Sequence, residues 1–403
     1  MITAGAVKSK ARELGFDLCG IAPADDFPEL SYLQEWLASG YAADMAWMAR
    51  NADRRADVRN VVPGARSVIV TGTIYNQVRL KADPTDSLRR NQADAQCQPG
   101  SGEDHRWGPA SAGPSDAVIA RYALGDDYHD VLKGRLDALL DWMRAESSEP
   151  FAARAYVDTG PVQERVYAQY AGLGWIGKNT CLISAEHGSF LFLSEIITTL
   201  ALEPDAQALE QCGSCRRCLD ACPTGALVDA GVLDSNTCIS YLTIELRGSI
   251  PESLRPAMGN HVYGCDICQD VCPHNHAAPV STDTPWQPRA GLDLPRLVDL
   301  WQQSDDDLRK LLAGSAMKRA KLTGLRRNLA VAIGNSGDPG AVAGLCVPRD
   351  DQPSAADPMV AEHIEWALTS NHGRRRSDSP AVDAADDGPQ LRENGGPAHR
   401  LHR

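Results

Sequence analysis

The run CGSCRRCLDACP sets Cys212, Cys215, Cys218 and Cys222 directly before Pro223. This is the bacterial ferredoxin spacing CxxCxxCxxxCP, in which three thiolates wrap one iron-sulfur cube and the fourth, carried onto the next helical turn, reaches a neighbouring cube. A second run, GCDICQDVCP, supplies Cys265, Cys268 and Cys272 before Pro273, with Val262 where a further cysteine would stand. Seven thiolates cannot fill two 4Fe-4S clusters. Cys238, in DSNTCISYL between the runs, is the obvious eighth. Crossed ligation then gives one cluster to Cys212, Cys215, Cys218 and Cys272 and the other to Cys222, Cys238, Cys265 and Cys268. Structural zinc favours well-separated CxxC-like pairs and suits the tight four-cysteine run poorly. Two adjacent clusters make a one-electron wire and do not name what they reduce.

Twelve cysteines also raise the question of disulfides. The N-terminus MITAGAVKSKARELGFD has no apolar core or small-residue cleavage site, so a reducing cytoplasm is the expected compartment, where clustered cysteines serve metal or redox chemistry. Cys19, Cys181 and Cys346 are scattered and read as small buried hydrophobes, and Cys97 as an exposed spare thiol. The most apolar stretch, FLFLSEIITTLAL (190–202), is broken by Glu195 and too short to span a bilayer, so it reads as a buried strand with no membrane anchor. A formal net charge of -13 argues against a surface coated for nonspecific nucleic-acid binding and does not exclude a local basic patch.

With 403 residues and 43% apolar composition, the chain can bury a large core and divide into two or three domains. Residues 1–50 read as helices, with Gly40 ending the segment SYLQEWLASG. SVIVTGTIY (67–75) reads as a buried strand, 81–116 as a long polar loop, AVIARYA as a strand and DYHDVLKGRLDALLDWMRAE as an amphipathic helix. ARAYVDTG is a strand ending at Asp158, VQERVYAQYAG a helix, and apolar strands cover 181–202. This alternation indicates an α/β or α+β domain over residues 1–205. The cysteine-rich segment occupies 206–285, HEAT-like helices 286–368, and a polar tail expected to be disordered 369–403.

GLGWIGKN spells GxGxxG, but it follows a helix where a dinucleotide site needs a strand. It reads either as a helix stop and tight turn or as a glycine loop against a bulky cofactor, with Lys178 and Asn179 offering polar contacts. DYHDVL nearly spells DxHxxG, by which some cobalamin proteins give a histidine to cobalt. Leu132 replaces the glycine, and His129 reads as a hydrogen-bonding residue at a helix start. Asp158 is either an N-cap for the following helix or, at a strand end beside a buried cofactor, a proton donor with a raised pKa. MKRAKLTGLRRN concentrates Lys318, Arg319, Lys321, Arg326 and Arg327, as a solvated helix face or a phosphate contact.

The order VDTGPVQER, GWIGKN, CGSCRRCLDACPTGAL, CISYLTIELRG, MGNHVYGCDICQDVCPHN and RRNLAVAIGNSGD closely resembles the epoxyqueuosine reductases, over residues 1–368. That resemblance implies an α+β chain with an N-terminal α/β cobalamin-binding domain, a ferredoxin-like domain with two 4Fe-4S clusters and a C-terminal HEAT-like α-helical region. It implies a cytoplasmic, monomeric enzyme that takes electrons from an external donor and reduces epoxyqueuosine to queuosine at the wobble position of tRNA. By motif match it places Asp158 on the proton donor. It places Arg55, Arg121, Arg165, Lys178 and Asn179 around the cobalamin with Asp158, and Ser240 and Asp266 beside the second cluster. Arg247 and the run from Lys318 to Arg327 become tRNA contacts. Two other readings stay open at this point: a reductive dehalogenase, which also joins cobalamin to two clusters, and an electron-transfer subunit whose catalytic partner lies elsewhere.

Overall fold

The computed structural model describes residues 2–77, 112–347 and 349–372, so Cys97 and its loop lie outside the described residues. In chain order the first strands are β1 (Leu18–Pro23), β2 (Ser67–Ile74), β3 (Val118–Ile119), β4 (Ala153–Tyr156), β5 (Trp175–Ile176), β6 (Leu182–Ile183) and β7 (Leu191–Thr198). Four of them form the main sheet, in the order β1-β2-β7-β4. All of its pairings are antiparallel, which selects α+β over the α/β expected of the N-terminal region.

Helices cover both faces of this sheet, and side-chain alternation decides which residue meets which helix. On one face Ile21, Ile69, Phe192 and Ile196 pack with α1 (Ala4–Glu13), through Val7 and Ala11, and with the long helix Tyr128–Glu146, through Leu132, Leu136 and Leu139. On the other face Ala22, Val68, Val70 and Ile197 pack with Leu30 of α2 (Pro28–Ala38) and with Val166 and Tyr167 of the helix Glu164–Tyr170. With both faces covered, β2 is buried at every position, its Ser67, Thr71 and Thr73 included.

Helix α2 ends as the sequence suggests, with Gly40 at φ +73° just beyond its cap residue Ser39. The all-helical reading of residues 1–50 is corrected by β1. Its six residues are too few for periodicity to separate strand from helix. Packing fixes the choice: a Cβ on Gly20 would lie 2.0 Å from the carbonyl oxygen of Ala171, so a glycine here lets the end of the helix Glu164–Tyr170 close over the strand. The expected strand AVIARYA shrinks to β3, followed by a 3-10 turn at Arg121–Ala123.

C-terminal helices Leu297–Gln302, Asp305–Leu312, Lys321–Asn335, Pro339–Gly344 and Pro358–His372 share one apolar core with Ile119, Ile239, Leu242, Val262 and Tyr263. Helix Lys321–Asn335 is its axis, with Leu329 to Ile333 fully buried. The last helix runs to His372, past the expected start of a tail at 369, and residues 373–403 lie outside the described residues. No helix among the described residues is long and apolar enough to cross a membrane.

Candidate functional site

The two cysteine runs fold back on each other. After Cys212, the Cys215 N–H closes a turn onto the Cys212 carbonyl at 3.0 Å, the helix Arg217–Ala221 carries Cys218, and Cys222 caps it. One cavity is lined by Cys212, Cys215, Cys218 and Cys272, together with Lys178, Asn179 and His274. A second neighbourhood holds the other four thiols: Cys265 feels the charges of Cys238 and Cys222, and Cys268 those of Cys265 and Cys238. The thiols thus fall into the same two groups that the crossed arrangement would use. No disulfide joins the described cysteines. Among the scattered thiols, Cys19 is half-buried and burial pushes its pKa up to about 12, Cys181 touches Cys268, and Cys346 is exposed, contrary to the buried expectation.

Lys178 and Asn179 serve the cysteine loops. The Lys178 ammonium donates to the Gly213 and Cys215 carbonyls, the latter at 3.0 Å, and Asn179 Nδ2 donates to the Cys268 carbonyl at 3.1 Å. Arg121 is 5% exposed, pairs with Asp266 and Asp270, and lies 4.4 Å over the Phe190 ring. Asp266 accepts the Arg121 backbone N–H at 2.8 Å. Ser240 is half-buried two residues after Cys238, in the first turn of the helix Ile239–Ile244.

Asp158 lies two residues beyond β4 at φ +56°, in the left-handed region that an L-residue enters at a cost. It does not cap the next helix, whose N-cap is Gln163. Its carboxylate accepts from Tyr128 Oη at 2.8 Å and meets His129 Nε2 at 3.3 Å. His129 Nδ1 is 2.7 Å from Asp127, which also caps the helix by accepting the His129 N–H, and Lys318 Nζ pairs with Asp127 at 2.7 Å. Tyr128 is held flat on Phe192, with ring centroids 4.6 Å apart.

Charge follows this chain of contacts. Burial lowers the His129 pKa, but hydrogen bonds and charges of Asp127 and Asp158 outweigh it and carry it up to about 9. Crowding raises the Asp158 pKa, but the hydrogen bonds from His129 and Tyr128 and the charges of His129 and Arg165 bring it below the usual carboxylate value. The expected raised pKa of Asp158 is therefore corrected. At neutral pH the proton of this pair sits on the imidazole, and the two groups titrate together.

A group that the sequence marks only as a break in an apolar stretch lies behind Asp158. Glu195 is fully buried in the middle of β7, and neither carboxyl oxygen has a partner. Burial and the nearby charges of Glu164 and Asp158 push its pKa far up. Glu164 has an unpartnered Oε1 and a pKa raised to about 8 by burial and then by Asp158. Arg55 donates to the Val162 carbonyl at 3.2 Å and leaves its buried Nε unpartnered. The signal was present: one carboxylate interrupting an otherwise apolar buried strand. Arg165 is exposed and within electrostatic reach of both Asp158 and Cys181.

The basic run divides. Arg326 and Arg327 are fully buried, correcting their assignment to tRNA. Arg326 holds the Gln303 carbonyl at 2.6 Å and Asp305 at 3.1 Å, while Arg327 holds the carbonyls of Leu242, Leu246 and Gly248 at 2.6–2.9 Å. Lys318, Arg319, Lys321 and Arg247 stay at the surface. Arg319 pairs with Glu245 through both Nε and Nη2, and Arg247 donates to the Ile244 carbonyl at 3.0 Å.

Known proteins are similar to this chain along most of its length. A family model described as "4Fe-4S double cluster binding domain" matches residues 211–275, and one described as "Epoxyqueuosine reductase QueG, DUF1730" matches residues 55–159. An epoxyqueuosine reductase of Gloeobacter violaceus is 44% identical over 83% of this chain and 97% of its own length. That of Escherichia coli is 36% identical over 92% of this chain and 90% of its own. A crystal structure of epoxyqueuosine reductase with an epoxyqueuosine-modified tRNA stem loop superposes with a TM-score of 0.72 at 28% identity, covering 93% of this chain and 94% of that one. The Bacillus subtilis enzyme, in a structure with an aspartate-bearing catalytic loop swung out of its active site, gives a TM-score of 0.71 at 28% identity over 92% and 95%. On this likeness along almost its whole length, the chain belongs to the epoxyqueuosine reductase family.

Proposed function

We propose that this protein reduces epoxyqueuosine to queuosine in the anticodon of tRNA, with electrons passed from an external donor through two 4Fe-4S clusters to a cobalamin bound beside Asp158. The observation that carries this reading is the likeness to epoxyqueuosine reductases along almost the whole chain, in which the eight clustered thiols and the Asp158–His129–Tyr128 hydrogen bonds supply an electron path and a proton site. On this reading Cys212, Cys215, Cys218 and Cys272 hold one cluster, and Cys222, Cys238, Cys265 and Cys268 the other. The domains are a catalytic unit over 1–205, the cluster unit over 206–285 and a helical region over 286–368, working as a cytoplasmic monomer.

The residues around Asp158 suit a corrinoid. Its rim of carboxamides both donates and accepts hydrogen bonds, and the unpartnered buried atoms of Arg55, Glu164 and Glu195 offer matching partners. Arg165 adds an exposed cation at the same corner. Both ring nitrogens of His129 are engaged, by Asp127 and Asp158. Bound there, cobalamin would supply a strongly reducing, nucleophilic metal centre fed one electron at a time.

Removing an epoxide oxygen as water and leaving an alkene takes two electrons and two protons. Asp158 and His129 hold a proton at the imidazole nitrogen, with Asp158 orienting the ring and Tyr128 fixing the carboxylate. Asp127, itself held by Lys318, keeps the imidazole charged from behind. Arg247, Lys318, Arg319 and Lys321 form the surface that meets the phosphate backbone of tRNA. The related enzyme bound to a modified stem loop supports the substrate class. Conversion of an epoxyqueuosine stem loop to queuosine by the anaerobically reconstituted, chemically reduced protein is the test. Absence of product with both cofactors bound would reject the reading.

A further inference from the structure

The GLGWIGKN turn, unsuited to a nucleotide, delivers side chains to the first cysteine quartet. Trp175 is 1% exposed and pairs with Ile183 across the β5–β6 ladder. Its indole Nε1 donates to Cys212 Sγ at 3.4 Å, within the range of a hydrogen bond to sulfur. The edge of His274 packs against the indole, with ring centroids 4.9 Å apart. Three residues on, the Lys178 ammonium rests on the Gly213 and Cys215 carbonyls of the same cysteine loop. The flanking glycines are required by close approach: a Cβ on Gly174 would lie 2.2 Å from the Ile183 carbonyl oxygen, and one on Gly177 would lie 2.3 Å from Ile183 Cδ1. This quartet is also the surface member, since Gln211, Gly213, Ser214, Arg216 and Arg217 are exposed, whereas Asp266 and Ile267 of the other quartet are buried.

An N–H donor on a cluster thiolate, with a cation nearby, stabilises the more negative reduced state and raises the reduction potential. On the reading that both quartets hold 4Fe-4S clusters, we infer that Trp175 is a tuning residue. Its indole N–H raises the potential of the cluster held by Cys212, Cys215, Cys218 and Cys272, which receives electrons from the external donor. The glycine turn clamps that indole in place, and Lys178 acts in the same direction.

The experiment is an anaerobic redox titration of the reconstituted protein, followed by electron paramagnetic resonance, on the native chain, Trp175→Phe and Lys178→Met. Cys238→Ser, which removes a ligand of the other cluster, identifies the remaining signal. With iron content unchanged, Trp175→Phe is expected to move the midpoint of the Cys212 cluster to lower potential and leave the other in place, and Lys178→Met to move the same midpoint the same way. An unmoved midpoint, or a shift confined to the signal lost in Cys238→Ser, overturns the inference. Where Trp175→Phe takes up less iron, Lys178→Met decides by the same criterion. A native chain that assembles no cluster refutes the functional reading itself, whereas clusters with unmoved midpoints refute only the role of Trp175.

Discussion

On the proposed function, electrons and protons reach the same place by differently built routes. The electron side is one continuous stretch, Cys212 to Cys272, whose eight thiols are brought together by short turns and single helical turns. The proton side draws Asp158 from a strand end, Asp127 and His129 from a helix start, and Lys318 from a 3-10 turn far along the chain. The first is a set of equivalent ligands, where losing one removes a cofactor. The second is a series of unlike groups that set one another's charge, where losing one changes a protonation state. Damage to the two sides should therefore differ in kind.

The largest effect expected is on the electron side. Cys238→Ser should cut bound iron from about eight to about four atoms per chain and abolish turnover, while Cys346→Ser leaves both unchanged. Full iron in Cys238→Ser, measured after reconstitution, would break the proposed quartets. On the proton side Asp158→Asn should keep iron and cobalt and slow turnover about 10²- to 10⁴-fold. A change in metal content there would erase the contrast.

His129 sharpens it through pH. Its folded-state pKa, raised from 6.5 to about 9, means the ion pair with Asp127 and Asp158 stabilises the fold fully below pH 6.5 and loses that contribution as pH rises through about 9. Turnover should fall over the same interval. In His129→Gln the rate should be low and that limb of the profile absent, and a limb that persists would assign the proton elsewhere.

Smaller effects separate the two halves of the basic run. Arg327→Met strands three buried carbonyls and should cost about 3 kcal/mol of stability, read from denaturant unfolding. Lys321→Ala should leave stability within about 0.5 kcal/mol and reduce the salt dependence of tRNA binding by roughly one phosphate contact. Reversed results would return Arg327 to the tRNA surface.

The same contrast governs what the amino-acid sequence discloses. Cysteine spacing is local, so the two quartets can be written down from it, with Cys238 filling the gap. The main-sheet strands β2 and β7 are legible because long apolar runs buried on both faces leave few alternatives. Burial itself is a tertiary property: nothing in MKRAKLTGLRRN marks Arg326 and Arg327 as interior and Lys318 and Lys321 as surface. Nor does a lone histidine in DYHDVL disclose that Asp158 stands across from it and raises its pKa. Glu195 is the intermediate case, conspicuous as a charge in an apolar strand and interpretable only once Glu164, Arg55 and Asp158 surround it.

The most direct test is anaerobic reconstitution with iron, sulfide and cobalamin, followed by measurement of iron, cobalt and queuosine formed from an epoxyqueuosine-tRNA in one sample. About eight irons and one cobalt per chain, with conversion, is the predicted result. Eight irons with no cobalt and no conversion would contradict it, leaving an electron path without the centre it is proposed to feed.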